Sequence, residues 1–247
     1  MAELAEILLV GVAIGVVPLA IGFLPKIVFG SRQPWNKFAT GVALGFMVVF
    51  FNDLIDDSGG LGESLGLSFS PTQVALAALF VLGFGVFTML SVRRPRSLHS
   101  IVYLIAAAIG LHAFGEGIII GSNFVGQLEI EALSTIFQGL SFALHKFLEG
   151  FKISIFFAPK FKSKMLLYSV MLAGFPLLLG IPLGIIAYPA IVANLLFAAG
   201  AGAAVFIIMR IAFMIGESKP NMTTVVGFLI GFVIVYLAAL IHFTVFP

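Results

Sequence analysis

The chain contains no cysteine and very few charged residues. Without cysteine, disulfide bonds, thiolate metal sites and thiol redox chemistry are all excluded. Charged residues make up 10% of the 247 positions, whereas soluble domains carry about a quarter charged residues. So few charges cannot cover the surface of a soluble globule, and the composition therefore excludes that class of protein.

Hydrophobic residues fill the place of the missing charges. They make up 61% of the chain, and the mean hydropathy is +1.18. Phenylalanine and glycine each occur 27 times, as expected where one helix face meets lipid and another packs closely on a neighbouring helix. The composition predicts an integral membrane protein with the lipid bilayer as its surroundings. The first 29 residues lack the basic start of a secretory signal, so we interpret them as a mature span.

Eight apolar stretches are long enough to cross a bilayer, since a membrane helix needs about 20 mostly apolar residues. The breaks between them are short and rich in polar residues, proline or glycine. We therefore predict an all-α, polytopic protein with one transmembrane domain over residues 1–247. The predicted spans are 4–29, 35–55, 71–92, 98–124, 130–158, 164–187, 189–215 and 222–246.

Among the predicted loops, only alternate ones have basic residues in or beside them. The first, third, fifth and seventh predicted loops have them, whereas the second, fourth and sixth have none. Because cytoplasmic loops collect Lys and Arg, the odd loops are predicted to face the cytoplasm and both termini the outside. The basic residues in or beside these loops are Lys26, Arg32, Lys37, Arg93, Arg94, Arg96, Lys160, Lys162, Lys164 and Lys219.

Two His–Glu pairs lie near the middle of consecutive predicted spans. His112 and Glu116 belong to the fourth span, and His145 and Glu149 belong to the fifth. A spacing of four places both members of each pair on one helix face. Ionisable residues in the middle of a membrane are costly and usually indicate a functional site. We call these four residues the His–Glu cluster.

The His–Glu cluster can offer two imidazoles and two carboxylates to a metal dication. This ligand set suits zinc, and also iron, manganese, cobalt or cadmium. The simpler interpretation of each pair is a His–Glu hydrogen bond that joins two helices. Because the pattern occurs twice, at matching depth and each time before a glycine (Gly117 and Gly150), we favour the metal site. These glycines would let neighbouring backbones approach closely beside the cluster.

The motifs around the cluster resemble those of the ZIP family of zinc- and iron-regulated metal transporters, particularly its bacterial and archaeal members. The fourth span reads HAFGEGIIIGSNF from His112, and the fifth reads HKFLEGFKIS from His145. Weaker similarity lies in segments 51–56, 181–184 and 198–200. The resemblance implies a prokaryotic cell-membrane transporter with eight helices, in which helices 1–3 and 6–8 are inverted repeats around helices 4 and 5.

The resemblance also implies how such a protein works. The transported cargo would be zinc or another transition-metal dication, and no separate cofactor is expected. The transport motion would be elevator-like. In that motion, helices one, four, five and six slide against two, three, seven and eight. A homodimer is implied as well, and neither a nucleic-acid partner nor an enzymatic activity is expected.

Three positions depart from the pattern of family members that bind two metals. Ala113, Lys146 and Ile181 stand where a second site would need ligands, and none of them provides one. We therefore predict a single metal site, with the Lys146 ammonium in the place of the second cation, where it would partly neutralise the two carboxylates. The alternative is that Lys146 reaches the membrane interface or pairs with another acid such as Asp53.

Some positions and functions stay open at the level of sequence. Asn52, Asp53 and Asp56, near the outer end of the second span, either form an outer access site for metal or simply end a helix. An intramembrane metal-dependent hydrolase is the main alternative function. It is disfavoured because no H-E-x-x-H motif is present and four protein ligands leave no position for water. A metal-binding membrane protein without transport is the third interpretation.

Overall fold

The computed structural model describes most of the chain in eight segments. They comprise residues 2–29, 34–59, 71–93, 98–126, 132–157, 163–186, 190–218 and 221–245. Six of the loop basic residues used for the orientation prediction lie outside these residues. They are Arg32, Arg94, Arg96, Lys160, Lys162 and Lys219.

Within the described residues the chain forms eight helices and no other regular element, which confirms the prediction of an all-α protein. Helix α1 consists of Ala2–Gly11, a π-helical turn Val12–Val16, and the short pieces Val17–Ile21 and Leu24–Phe29. The others are α2 (Trp35–Gly59), α3 (Pro71–Arg93), α4 (Leu98–Gly126), α5 (Ala132–Ser154), α6 (Ser163–Ile186), α7 (Ala190–Ser218) and α8 (Met222–Val245).

Helix α1 is interrupted, although the sequence predicted a continuous helix. The π-helical turn Val12–Val16 ends just before Pro18. Proline has no N–H to donate to the preceding turn and its ring crowds that turn, so the local hydrogen-bond register changes there. The chain then turns at Gly22, whose N–H donates to the Pro18 carbonyl at 2.9 Å, before the helix resumes at Leu24.

The helices indicate an integral membrane protein. Among the described residues, five helical segments are long and apolar enough to cross a bilayer: Leu4–Val28, Pro71–Arg93, Ser100–Ser122, Ser163–Ile186 and Ile191–Glu217. Large apolar side chains such as Leu9, Val92 and Met222 are exposed on the outside of the bundle. An apolar outer surface of this kind is suited to lipid and not to water.

Three of the eight predicted spans are less apolar or shorter than these five. Helix α5 carries Lys146, Glu149 and Lys152 within one stretch, and α2 begins with Asn36 and Lys37 after its first residue. In α8 the apolar segment identified within the described residues is Met222–Leu237. The fold therefore has the predicted number of helices, and five of them have the length and composition of membrane spans.

Helix packing surrounds α4 and α5 with neighbours. Helix α4 packs along α6 and α7, α1 packs on α5 and α6, α2 packs along α7 and α8, and α3 packs along α7. Between α4 and α5 themselves, few backbone positions lie close together. The space between these two helices is therefore filled by long side chains, which come from the His–Glu cluster.

Candidate metal centre

Helices α4 and α5 each present one imidazole and one carboxylate to the space between them. On α4, 3.1 Å separates His112 Nε2 from Glu116 Oε1. On α5, 3.4 Å separates His145 Nε2 from Glu149 Oε1. One helical turn separates the residues of each pair, so the backbone alone holds each imidazole beside its own carboxylate.

The two pairs meet across the helix interface. His112 Nε2 lies 3.8 Å from Glu149 Oε1, and His145 Nε2 lies 3.7 Å from Glu116 Oε1. One ligand atom from each of these four residues lies within 4.8 Å of all the others. The structure thus brings together the four residues that the spacing analysis singled out.

The spacing of the four atoms suits a small tetrahedral cation. Ligands about 2.0–2.1 Å from zinc at tetrahedral corners are separated from one another by about 3.4 Å. The four nitrogen–oxygen distances, from 3.1 to 3.8 Å, lie around this value. A dication can therefore be accommodated with little rearrangement of the backbone.

Several of these atoms are buried and have no suitable hydrogen-bond partner within the described part of the chain. They are His112 Nε2, His145 Nε2 and Glu149 Oε1. A buried polar atom without a partner is costly, and these three atoms belong to a group of four residues that could hold a metal ion. The His–Glu distances of 3.1–3.8 Å also fit the alternative interpretation, in which each pair joins two helices.

Lys146 occupies the other side of the two carboxylates. Its Nζ lies 2.7 Å from Glu149 Oε2 and also forms an ion pair with Glu116 Oε2. The side chain is buried, so the alternative that Lys146 reaches the membrane interface does not hold here. Each carboxylate directs Oε1 towards the imidazoles and Oε2 towards the ammonium.

The other two positions that depart from the two-metal pattern are apolar and buried together. Ala113 and Ile181 belong to one small hydrophobic cluster with Ile7 and Leu177. The Phe142 ring packs against that cluster and lies 5.4 Å from Lys146 Nζ. Among the described residues, the Lys146 ammonium thus lies beside the Phe142 ring, and the apolar side chains of Ala113 and Ile181 offer no ligand to a second metal.

Aromatic rings enclose the two imidazoles. The Phe50 ring centroid lies 5.0 Å from that of His112 and 5.1 Å from that of His145. On α7, Phe197 lies 5.4 Å from His112. The Lys152 Nζ lies over the Phe50 ring, 3.8 Å from its centroid. Phe50 and Phe197 could not be identified from the sequence because phenylalanine occurs 27 times in this chain. The contact of Lys152 with Phe50 joins two helices, and no local pattern predicts it.

The motif glycines place neighbouring helices directly against the site. A side-chain carbon at Gly117 would overlap the backbone carbonyl of Leu177 in α6, and one at Gly150 would overlap that of Leu19 in α1. The expected close approach is therefore present. It joins α4 to α6 and α5 to α1, and it does not join the two motif helices to each other.

The site is more accessible on one side than on the other. The His145 side chain is 30% exposed, against 4% for His112, 11% for Glu116 and 0% for Glu149. Beyond Glu149, the last part of α5 and the turn that follows, residues 150–157, are buried throughout. His145 is therefore the most exposed member of the cluster, and the chain that follows Glu149 is buried.

The residues of the predicted outer access site lie at the end of α2. Asn52 is exposed there. The side chains of Asp53 and Asp56 lie outside the described residues, so their role stays a prediction. No family model matches the chain, and no curated protein matches it in sequence.

Proposed function

We propose that this protein carries divalent transition-metal ions across a membrane, with zinc as the favoured cargo. The proposal depends chiefly on one observation: two imidazole nitrogens and two carboxylate oxygens converge within 4.8 Å in a chain with five apolar candidate spans. Intramembrane ionisable groups usually mark ion pathways. Two nitrogen and two oxygen ligands in a small tetrahedral arrangement favour zinc among the metals that accept this set.

We further propose that the chain is related to the ZIP family named above. The paired motifs from His112 and His145 support this relationship, because their His and Glu residues meet in space as the resemblance implies. The eight helices also agree with it. The assignment would place the protein in a prokaryotic cell membrane, where all eight helices cross the bilayer, both termini are outside and the protein acts as a homodimer.

An internal repeat of α1–α3 and α6–α8 is supported by similar sequences at matching places. Residues 18–22 of α1 read PLAIG, and residues 176–180 of α6 read PLLLG. The two segments lie in the first helix of each proposed repeat. Their common proline and glycine have the same spacing.

The contacts of these two segments match as well. A side-chain carbon on Gly22 would overlap the backbone of Phe147 in α5, and one on Gly180 would overlap the backbone of Phe114 in α4. Each glycine lies at the end of its PLxxG segment, and each contact residue lies two positions after the motif histidine. The contact of Gly22 in α1 with α5 therefore has a counterpart in the contact of Gly180 in α6 with α4.

The packing supports a transport motion between two groups of helices. Helices α1, α4, α5 and α6 pack mainly among themselves, as do α2, α3, α7 and α8. The main contact between the groups is that of α4 with α7, where Gly200 faces the Cβ of His112. We propose that the first group carries the site past the second in an elevator-like motion.

A mid-membrane site must open to one side at a time to avoid a leak. With both termini outside, the exposed His145 side would face outwards and the buried segment 150–157 would close the cytoplasmic side. Metal would arrive from the outside, with Asn52, Asp53 and Asp56 as an outer access site. After the motion, it would leave to the cytoplasm down its gradient.

Flux measurements in proteoliposomes test the transport proposal. With a zinc indicator inside the vesicles, the wild-type protein should give zinc flux and Glu149→Gln should give none, because it loses a ligand charge. Glu217→Gln, at an exposed position on α7, is the matched control and should retain flux. Zinc binding without flux would support the non-transporting interpretation, whereas zinc-dependent turnover of lipid or peptide would support the hydrolase.

A further inference from the structure

In both glutamates of the site, one carboxylate oxygen contacts Lys146 and the other faces the imidazoles. Its ammonium contacts the Oε2 atoms of Glu116 and Glu149. The Oε1 atoms of the same residues face the two imidazole nitrogens, at 3.1–3.8 Å. Both carboxylates therefore have one oxygen free for a metal and one oxygen held by a cation.

The number of carboxylate oxygens available to a metal determines which coordination numbers the site can support. A carboxylate can coordinate through one oxygen or through both, and cations with a high coordination number use the second mode. Zinc is satisfied by four ligands in a tetrahedron. Manganese, calcium and magnesium prefer six or more ligands, mostly oxygen. With both Oε2 atoms engaged by Lys146, the cluster offers four ligand atoms that are not already paired with a cation.

The walls of the site do not add further ligands. Phe50 and Phe197 lie against the imidazoles. Ala113 and Ile181 form part of the apolar cluster on which Phe142 packs, beside the ammonium. Among the described residues these groups are all hydrocarbon at their surfaces. Among the described residues, the Oε2 atoms are therefore the nearest further protein ligands for a cation that needs more than four, and both are in contact with Lys146.

We propose that Lys146 determines the metal specificity of the site, because it restricts each glutamate to one coordinating oxygen and so selects tetrahedral dications over those that require six ligands. This inference rests on the proposed function for its cargo site. The proposed role of Lys146 goes beyond charge compensation. A neutralising charge could lie anywhere near the carboxylates, whereas control of the coordinating oxygens requires contact with both Oε2 atoms.

Charge compensation and control of coordination number have different consequences. An ammonium beside the site repels every dication by a similar amount, so its removal through charge alone raises the affinity for all of them together. Release of the two Oε2 atoms instead favours metals that accept six ligands. The ratio of zinc to manganese affinity therefore separates the two roles, whereas the zinc affinity alone does not.

The test uses the full-length protein, purified in detergent, with three metals as probes. Zinc and manganese affinities are measured by competition, and cobalt is the spectroscopic probe because tetrahedral Co²⁺ absorbs visible light far more strongly than six-coordinate Co²⁺. The wild-type protein should give the intense tetrahedral spectrum. Lys146→Met should give a weaker one and reduce the zinc-to-manganese affinity ratio by about 10–100-fold, the range for partners that orient metal ligands.

Two further variants serve as controls. Lys26→Met removes a buried lysine of α1, whose Nζ lies 3.3 Å from Asn36 Oδ1, and should leave the affinity ratio and the cobalt spectrum unchanged. Lys146→Arg keeps a cation with several donors for the two Oε2 atoms and should preserve the wild-type values. Lys146→Gln has an uncharged amide, whose N–H donors should hold the Oε2 atoms less firmly than an ammonium does, so its ratio should be intermediate.

The outcomes separate this inference from the function on which it rests. If the wild-type protein binds neither zinc nor cobalt, the proposed function is wrong. If it binds them and Lys146→Met changes all affinities by one common factor, the function stands and the specificity role is wrong. A weak six-coordinate cobalt spectrum of the wild-type protein would also overturn the inference, and this result does not depend on the folding of any variant.

Discussion

The Phe50 ring meets the His112 imidazole edge-on, with 5.0 Å between the centroids and 87° between the planes. The same ring contacts the His145 imidazole and the Lys152 ammonium. One side chain of α2 therefore positions both histidines, which belong to α4 and α5. Tight contact of this kind fixes the direction of a ligand before the metal arrives.

We predict that Phe50→Ala destabilises the protein and weakens zinc binding. Loss of a buried Phe side chain costs about 3–5 kcal/mol, and looser imidazoles should lower the zinc affinity by about tenfold. Unfolding in detergent and zinc titration measure the two effects. Phe213→Ala, at an exposed position of α7, is the control and should change neither quantity appreciably. Equal effects of both substitutions would contradict the positioning role of Phe50.

Zinc should stabilise the folded protein through the His–Glu cluster. A ligand that binds only the folded state at 100 times its Kd adds about 2.7 kcal/mol to the free energy of unfolding. The increase should disappear in Glu116→Ala and in Glu149→Ala, because each removes a coordinating oxygen. Thermal unfolding with and without zinc measures it. An undiminished zinc effect in both variants would show that zinc binds elsewhere.

The close contact between α5 and α1 should be sensitive to a single methyl group. In Gly150→Ala the new carbon would overlap the Leu19 carbonyl, and because backbone cannot move aside easily, we expect destabilisation of about 1–3 kcal/mol. Gly139→Ala, on the same helix, is the matched control, since in the described structure its added carbon meets no atom within 4 Å apart from its chain neighbours and the nearby backbone of its own helix. If the two variants unfold alike, the packing of α5 on α1 is wrong.

The natural absence of cysteine permits a direct test of access. In His145→Cys the thiol replaces a side chain that is 30% exposed, whereas in Ser154→Cys it replaces a fully buried one. A membrane-impermeant thiol reagent added outside should label the first variant rapidly and the second slowly or not at all. Preferential labelling of Ser154→Cys from that side would contradict both the proposed orientation and the closed cytoplasmic side.

The helical architecture and the candidate ligands could be predicted from sequence because both depend on local patterns. Long apolar stretches have few alternatives to helices in a membrane, and a spacing of four places His112 beside Glu116 whatever the rest of the fold does. The interruption of α1 was missed although Pro18 marks it. The similarity between residues 18–22 and 176–180 was also available in the sequence and would have supported an internal repeat.

The sequence by itself determined that apolar helices dominate this protein and that two imidazole–carboxylate pairs lie along consecutive helices. Only the tertiary structure decided that the two pairs face each other, that Lys146 takes the Oε2 atoms of both glutamates, and that Phe50 packs on both imidazoles. The physical reason is that helix geometry fixes neighbours within one turn. Contacts between helices depend instead on how whole faces pack, and α4 and α5 are placed by their neighbours α6 and α1.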